Sequence, residues 1–311
     1  MRTELVSAEA QSSGQPGPES RVPATASGGG NHLESAFSQP RNFHDNRFAY
    51  TVISQRARGL CIGVNMNPDK NCNFDCFYCE VNRSQPGRDA QVDLKVMAQE
   101  VEDLLSLAYE DRVRELPSFG RLPPELLQLK AVLLSGDGEP TLSADFAQVV
   151  REVVHIRSTG RFPFFKLVLV TNTTGLGLPE VKRGLQLFTS KDEIWAKFDA
   201  GTQAYMNKVN HAEIPLRRVM LNILLVARHR PVVIQSLFPL VDGEEPSVEE
   251  IEQYARRLRR LKQDGAQISL VQIYSAHRPP DRPNCGHLRL KVLSYIARRV
   301  RKVAGVPAEV F

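Results

Sequence analysis

Three cysteines carry the densest chemistry in this chain: Cys72, Cys76 and Cys79, in the run Cys72-Asn73-Phe74-Asp75-Cys76-Phe77-Tyr78-Cys79. Spaced C-x-x-x-C-x-x-C on one short loop, they can present thiolates to three corners of a cubane 4Fe-4S cluster and leave the fourth iron without a protein ligand. An open iron is a chemical site. Zinc is the competing reading, since closely spaced thiolates suit it too. A structural zinc site, however, is closed by four ligands, usually from two cysteine pairs or a cysteine pair and a histidine pair. No second pair exists here: Cys61 and Cys285 are singletons, and the seven histidines show no H-x(3-5)-H spacing. A disulfide framework fits poorly with five cysteines in 311 residues and no secretory segment.

A second feature lies downstream, Leu133-Leu134-Ser135-Gly136-Asp137-Gly138-Glu139-Pro140-Thr141-Leu142. An apolar run of strand type ends in glycines, a carboxylate and a proline, as a buried parallel strand does when it leaves a sheet. Glycines let the backbone approach a ligand closely. The Glu139 carboxylate, or a carbonyl nearby, can accept hydrogen bonds from an ammonium group. The plainer reading is a tight turn with a solvated Glu.

Together, the cysteine triplet and this motif resemble the radical S-adenosylmethionine (radical SAM) superfamily. Gly136, Gly138 and Glu139 fall where that family has its Gly-Gly-Glu motif, with Asp137 standing where a second Gly is usual. The resemblance implies that Cys72, Cys76 and Cys79 hold the cluster and that S-adenosylmethionine chelates the open iron. Reductive cleavage of the cofactor then yields a 5'-deoxyadenosyl radical that abstracts hydrogen from a substrate. It further implies a one-electron donor of the flavodoxin or ferredoxin type. Tyr78, between the second and third cysteines, matches a position whose backbone meets the adenine.

The elements that must position these residues follow from the apolar pattern. Strands are expected near 60–65, 131–135, 166–172, 193–199, 232–238 and 268–275. Between them lie helical stripes such as Leu94, Met97, Val101, Leu104 and Leu105, and Ile251, Tyr254, Ala255, Leu258 and Leu261. Ser247 with Glu250 reads as a capping box for the second stripe, and Pro179 suits the first turn of a helix reaching about Phe188. Six such units in alternation predict an α/β fold of parallel strands joined by crossovers. The resemblance implies the same architecture, a partial (β/α)6 TIM-like barrel over residues 46–311.

Reacting groups in such a barrel collect at the carboxyl ends of the strands. Strand parity puts Ile194, Ala196 and Phe198 on one face and Trp195, Lys197 and Asp199 on the other. The charged face should point inward, where Lys197 or Asp199 either touches cofactor or substrate or forms a structural ion pair. The same parity selects Asn172, Gln235, Gln272 and Tyr274 as lining residues, with a self-satisfying polar layer as the alternative. Cys61 reads as a small core residue, and Cys285 as a loop thiol.

Within the superfamily the chain resembles a largely uncharacterised group related to the tRNA-modifying wyosine synthases. It rests on the Gly63 to Pro68, Ser135 to Leu142, Thr171-Asn172, Lys197 to Gly201 and Gln272 to Tyr274 segments, with Arg278-Pro279-Pro280 beyond. Wyosine synthases carry three further cysteines upstream for a second cluster, and only Cys61 lies upstream here. RNA is therefore a possible but disfavoured partner, and a non-catalytic iron-sulfur protein is the non-enzymatic alternative. The net charge of +5 and the basic residues from Arg256 to Lys262 and from Arg298 to Lys302 would suit phosphates. A solvated helix face explains them as well. Residues 1–45, rich in Ser, Gly, Pro and Gln, cannot bury enough surface to offset their ordering entropy and are expected to be disordered. No stretch approaches the ~20 apolar residues of a membrane span, so a soluble, cytoplasmic protein is expected.

Overall fold

Leu129–Ser135, Val232–Leu237 and the other apolar runs form strands because they are short, rich in branched residues and bounded by turn residues. The computed structural model describes residues 36, 43–116, 118–276 and 284–311, all within one compact unit, Asn31–Phe311. In chain order the strands are β1 (Ala49–Ser54), β2 (Gly59–Asn65), β3 (Leu129–Ser135), β4 (Leu167–Thr171), β5 (Glu193–Lys197), β6 (Val232–Leu237), β7 (Leu240–Val241), β8 (Ile268–Tyr274), β9 (Cys285–Gly286) and β10 (Ala308–Val310). The α-helices between and after them are α1 (Leu94–Tyr109), α2 (Phe146–Ser158), α3 (Pro179–Leu185), α4 (Gln203–Asn210), α5 (Leu216–Ala227), α6 (Val248–Gln263) and α7 (Leu290–Ala304).

Eight strands form one sheet in the order β1-β2-β3-β4-β5-β6-β8-β10. From β2 to β10 every neighbouring pair is parallel, giving a partial TIM-like barrel. The six expected strands are β2, β3, β4, β5, β6 and β8, some of them shorter than expected at their ends. Two edge strands were not foreseen. Antiparallel to β2, β1 places Ala49 opposite Val64 and Ser54 opposite Gly59. At the other edge β10 joins β8. Its three residues are too few to show periodicity, whereas the Tyr-Thr-Val-Ile content of β1 was a readable strand signal.

Two layers hold the barrel together. Outside, the α1 stripe of Met97, Val101, Leu104 and Leu105 and the α6 stripe of Ile251, Tyr254, Leu258 and Leu261 pack with Ile194, Ala196 and Phe198 in the shell between strands and helices. Inside, Cys61, Ala131, Leu133, Val168, Trp195 and Val233 form a separate cluster. The parity expected for β5 is thus present: alternate residues face opposite layers. Cys61 is fully buried, and burial pushes its thiol up to about 12.

Helix starts follow local chemistry. Asp93 caps α1, accepting from the backbone N–H of Lys95 and Val96 at 3.0 and 3.2 Å. Ser247 caps α6 by accepting from Glu250 N at 3.1 Å. The reciprocal half of the expected capping box is not made. Glu250 is buried and turns instead to the backbone N–H of Gly201 and to Thr202 Oγ1. This ties α6 to the loop after β5, and a Cβ on Gly201 would lie 2.1 Å from Tyr254 N.

Most of the segment expected to be disordered, and the Arg278-Pro279-Pro280 element, lie outside the described residues. Ala36 is buried with Ile53, Leu60 and Phe119. Among the described residues no helix is long and apolar enough to cross a membrane.

Candidate functional site

The loop between β2 and α1 carries the three cysteines and leaves the carboxyl end of β2. It docks on the last turn of α4, where helix carbonyls lack intrahelical partners. Asp75 N donates to Asn210 O at 3.1 Å and Phe77 N to Val209 O at 2.8 Å. His211, in the left-handed conformation just past α4, places Nδ1 2.9 Å from Asp75 O. Arg83 folds back over the loop, donating to Phe74 O at 2.6 Å.

Each sulfur has an N–H donor near it. Asn172 Nδ2 lies 4.0 Å from Cys72, Asn210 Nδ2 3.5 Å from Cys76, and Arg83 Nη2 3.8 Å from Cys79. All three thiols are free and half-buried. Burial raises Cys72 and pushes Cys76 up to about 11, so ligation requires loss of these protons. Arg83 is raised above its ordinary value because the charges of Cys79, Cys72 and Cys76 outweigh its own desolvation. An all-sulfur donor set beside a cation suits an anionic iron-sulfur cluster, whose potential depends on N–H donors to sulfur. Among the described residues no three His, Cys, Asp or Glu side chains are gathered to hold one metal ion. A cluster binds its cysteines through separate irons and does not require them to converge on one point.

Behind the loop sits a buried polar knot. The Tyr78 hydroxyl donates to Asp199 Oδ2 and accepts from Lys197 Nζ at 3.1 Å and Asn210 Nδ2 at 2.8 Å. Asn210 Nδ2 also reaches Asp199 Oδ2 at 2.9 Å, and Leu237 N donates to Asp199 Oδ1 at 2.9 Å. Lys197 Nζ is 3.8 Å from Asp199 and 4.6 Å from the centre of the Tyr78 ring. The Asp199 carboxylate is thus fully engaged by the protein, whereas Lys197 keeps 20% of its side chain exposed.

The loop after β3 behaves differently from a solvated turn. Glu139 is buried. Its Oε1 accepts from Thr141 N at 3.1 Å, from Thr141 Oγ1 at 2.5 Å and from Thr171 Oγ1, while Oε2 accepts from Asn172 N at 2.6 Å. These bonds staple the β3 loop to the end of β4. The glycines approach protein: a Cβ on Gly138 would lie 1.8 Å from Asn71 O, and one on Gly136 2.5 Å from Asn67 Oδ1. Asn172 joins the same structure, donating to Asn73 Oδ1 at 2.8 Å.

Solved structures with this arrangement of strands are informative. A radical SAM methyltransferase from Sphaerobacter thermophilus superposes with a TM-score of 0.60 over 85% of this chain and 68% of its own, at 15% identity. Streptococcus suis SuiB bound to S-adenosylmethionine gives 0.54 over 78% and 49% at 13% identity, and TYW1 with a lysine-pyruvate adduct gives 0.52 over 82% and 84% at 13%. This chain shares the fold of these proteins. No protein-family profile matches it. Among curated proteins, a UPF0026 protein of Methanocaldococcus jannaschii is 23% identical over 177 residues, 55% of this chain and 47% of the relative. A UPF0026 protein of Helicobacter pylori strain 26695 is 26% identical over 141 residues, 44% and 38%. The matched stretches span less than half the length of these two relatives.

Within this fold the remaining expected lining residues divide. Gln235 Nε2 donates to Gln272 Oε1 at 2.9 Å and both are buried, so they satisfy each other. Tyr274, Tyr78 and Leu237 share a small apolar cluster against which Cys76 and Cys285 pack. Cys285, in β9 opposite Val241, packs on the cluster that Tyr78 joins, and burial pushes its thiol up to about 11. Sequence reasoning missed Asn210 and Arg83. Neither has a periodic or motif signal, because each is brought to the sulfurs by how the loop folds onto α4.

Proposed function

We propose that this chain is a radical SAM enzyme in which Cys72, Cys76 and Cys79 hold a 4Fe-4S cluster with one iron open to S-adenosylmethionine. The observation that carries this reading is the cysteine loop itself: three thiols at the carboxyl end of a radical SAM barrel, each with an N–H donor. When bound, the cluster would supply one electron, received from a flavodoxin- or ferredoxin-type donor, to cleave the sulfonium C–S bond and give methionine and a 5'-deoxyadenosyl radical.

The chain's own residues then orient the cofactor and shield the radical. The half-exposed backbone of Gly136 to Gly138 is the acceptor surface for the methionine amino group, because Glu139 has committed its carboxylate to four protein donors. The backbone at Tyr78 faces the adenine, and Lys197, the exposed member of the polar knot, meets the cofactor carboxylate or the substrate. Asp199 and Asn172 act as positioning residues for the loop. The mostly apolar walls keep water from the reacting atoms.

A tRNA-modifying, wyosine-synthase-like reading is weaker. Cys61, the one cysteine upstream of the loop, is buried among Trp195 and Val168 and is no ligand for a second cluster. Several of the basic residues are engaged within the protein: Arg299 with Glu252, Arg260 with Asp264, Arg257 with Gly201 O.

Anaerobic reconstitution tests the proposal. Iron and sulfide in the ratio of a 4Fe-4S cluster, and 5'-deoxyadenosine on reduction with S-adenosylmethionine, are expected. Zinc in place of iron, or full iron retention after all three cysteines become serine, would reject it. A bound cluster without 5'-deoxyadenosine would favour the non-catalytic alternative.

A further inference from the structure

The turn between β1 and β2 carries two arginines that take opposite directions. Arg58 crosses to the far edge of the sheet, where it pairs with Glu309 of β10 at 2.6 Å and lies 5.9 Å from the Phe311 ring. Arg56 turns inward. Its guanidinium carbon lies 4.3 Å from the centre of the Tyr274 ring, which is itself buried at the end of β8. The next residue, Ala57, packs against the inner cluster of Trp195 and Cys61, which places this end of the hairpin inside the barrel.

Among the described residues Arg56 has no acid to answer it. Its Nε is shielded from solvent and finds no hydrogen-bond partner, and among the described residues no carboxylate pairs with it. The inward carboxylates are committed elsewhere. Asp199 serves Tyr78, Asn210, Leu237 N and, at 3.8 Å, Lys197, and Glu193 serves Lys166 and the Trp195 indole. Beyond Arg56, Lys197 is a second inward cation, 4.6 Å from the centre of the Tyr78 ring; Tyr78 and the Tyr274 under Arg56 belong to one cluster, so both cations sit on the same aromatic group. The polar groups between these strands include the mutually bonded Gln235 and Gln272. Among the described residues, Arg56 and Lys197 thus face a single acid, Asp199, which lies against Lys197. A buried N–H without an acceptor is unfavourable, and a bound anion would supply the acceptor that Arg56 Nε lacks. The planar fork of a guanidinium matches the paired oxygens of a carboxylate or phosphate.

We propose that Arg56, with Lys197, forms an oxyanion-recognition site inside the barrel and that the substrate carries a carboxylate or phosphate group held there. That the bound anion belongs to the substrate rests on the radical SAM reading; the anion site itself does not.

The 311-residue protein, as purified and after cluster reconstitution, is titrated with inorganic phosphate and separately with succinate. Binding is followed through the emission of Trp195, the one tryptophan of the chain. A saturable change with at least one anion is expected, and the anion that saturates assigns the group. Arg56→Gln should weaken that binding at least about tenfold, the loss expected when a charged hydrogen-bond donor is removed. Arg56→Lys should recover part of it, and Arg259→Gln on the outer surface should match wild type. No saturable change with either anion, or equal binding by Arg56→Gln, overturns the proposal. So does a matching loss of S-adenosylmethionine affinity in Arg56→Gln, which would make the anion the cofactor's own carboxylate. Failure of the radical SAM reading is seen separately, as absence of 5'-deoxyadenosine from the same preparation.

Discussion

Replacing Glu139 separates two roles that the sequence motif leaves together, cofactor ligand and internal staple. In Glu139→Ala the backbone N–H groups of Thr141 and Asn172 lose their acceptor in a buried setting, while the two threonine hydroxyls can rotate toward other acceptors. At about 1–3 kcal/mol for each buried donor left unpaired, the cost is about 2–6 kcal/mol. Glu139→Gln keeps the shape and one acceptor oxygen. If that oxygen faces Thr141 and Thr171, the amide NH2 faces the Asn172 N–H, so one bond is lost, at about 1–3 kcal/mol. Burial raises the Glu139 carboxyl above its ordinary value, against the pull of its hydrogen bonds, so the substitution also removes a group held at some electrostatic cost. Urea unfolding at neutral pH, with bound iron measured on the same samples, distinguishes the roles. The expected order of stability is wild type, Glu139→Gln, Glu139→Ala, with iron retention falling alongside because Asn172 reaches Cys72. Wild-type stability in Glu139→Ala together with a loss of S-adenosylmethionine affinity would refute this reasoning and restore the direct cofactor contact.

Three further outcomes follow from distances in the structure. Gly138→Ala puts a methyl group 1.8 Å from Asn71 O, so the cysteine loop must shift; cluster incorporation, measured as iron per chain, should drop sharply while far-UV circular dichroism stays near wild type. Tyr78→Phe removes the hydroxyl at the centre of the polar knot and should cost about 1–3 kcal/mol, read by thermal unfolding, with faster loss of iron to a chelator. Arg157→Met strands Asp192, whose side chain is fully buried and is held by Arg157 at 2.7 Å, and should cost about 3–5 kcal/mol in urea unfolding. Although burial opposes it, the guanidinium and the N–H groups of Leu167 and Thr189 hold Asp192 below the ordinary carboxylate value. Its contribution is therefore present above the unfolded value and is lost as pH falls through the lowered folded one, so the stability gap between wild type and Arg157→Met should narrow on acidification.

The parts of the fold legible in the sequence were those fixed by period and punctuation. The six barrel strands and the α1 and α6 stripes are determined by which residues must be apolar, and β5 parity sorted Trp195, Lys197 and Asp199 from Ile194, Ala196 and Phe198 because side chains alternate. Pairing was less readable. Ser247 and Glu250 have the capping-box spacing, yet Glu250 finds Gly201 and Thr202, long-range partners that local spacing does not encode. The glycines of the Gly136 to Glu139 motif suggested room for a ligand and in the structure provide room for Asn67 and Asn71. A missing Cβ indicates close approach without naming what approaches. The donors to sulfur, Asn210 and Arg83, depend on tertiary folding of the loop and left no trace in its spacing.

The cysteine loop is fastened to α4, to the β3 and β4 loops and to Arg83 by bonds in which no metal takes part. In a small zinc module the free energy of metal binding is also that of folding, and chelation unravels the chain. Here the loop has hydrogen bonds of its own to the rest of the chain. On the proposed reading, gaining or losing the cluster would be an exchange between two folded proteins of nearly the same shape, and damage to it by oxygen would leave a scaffold ready to be refilled.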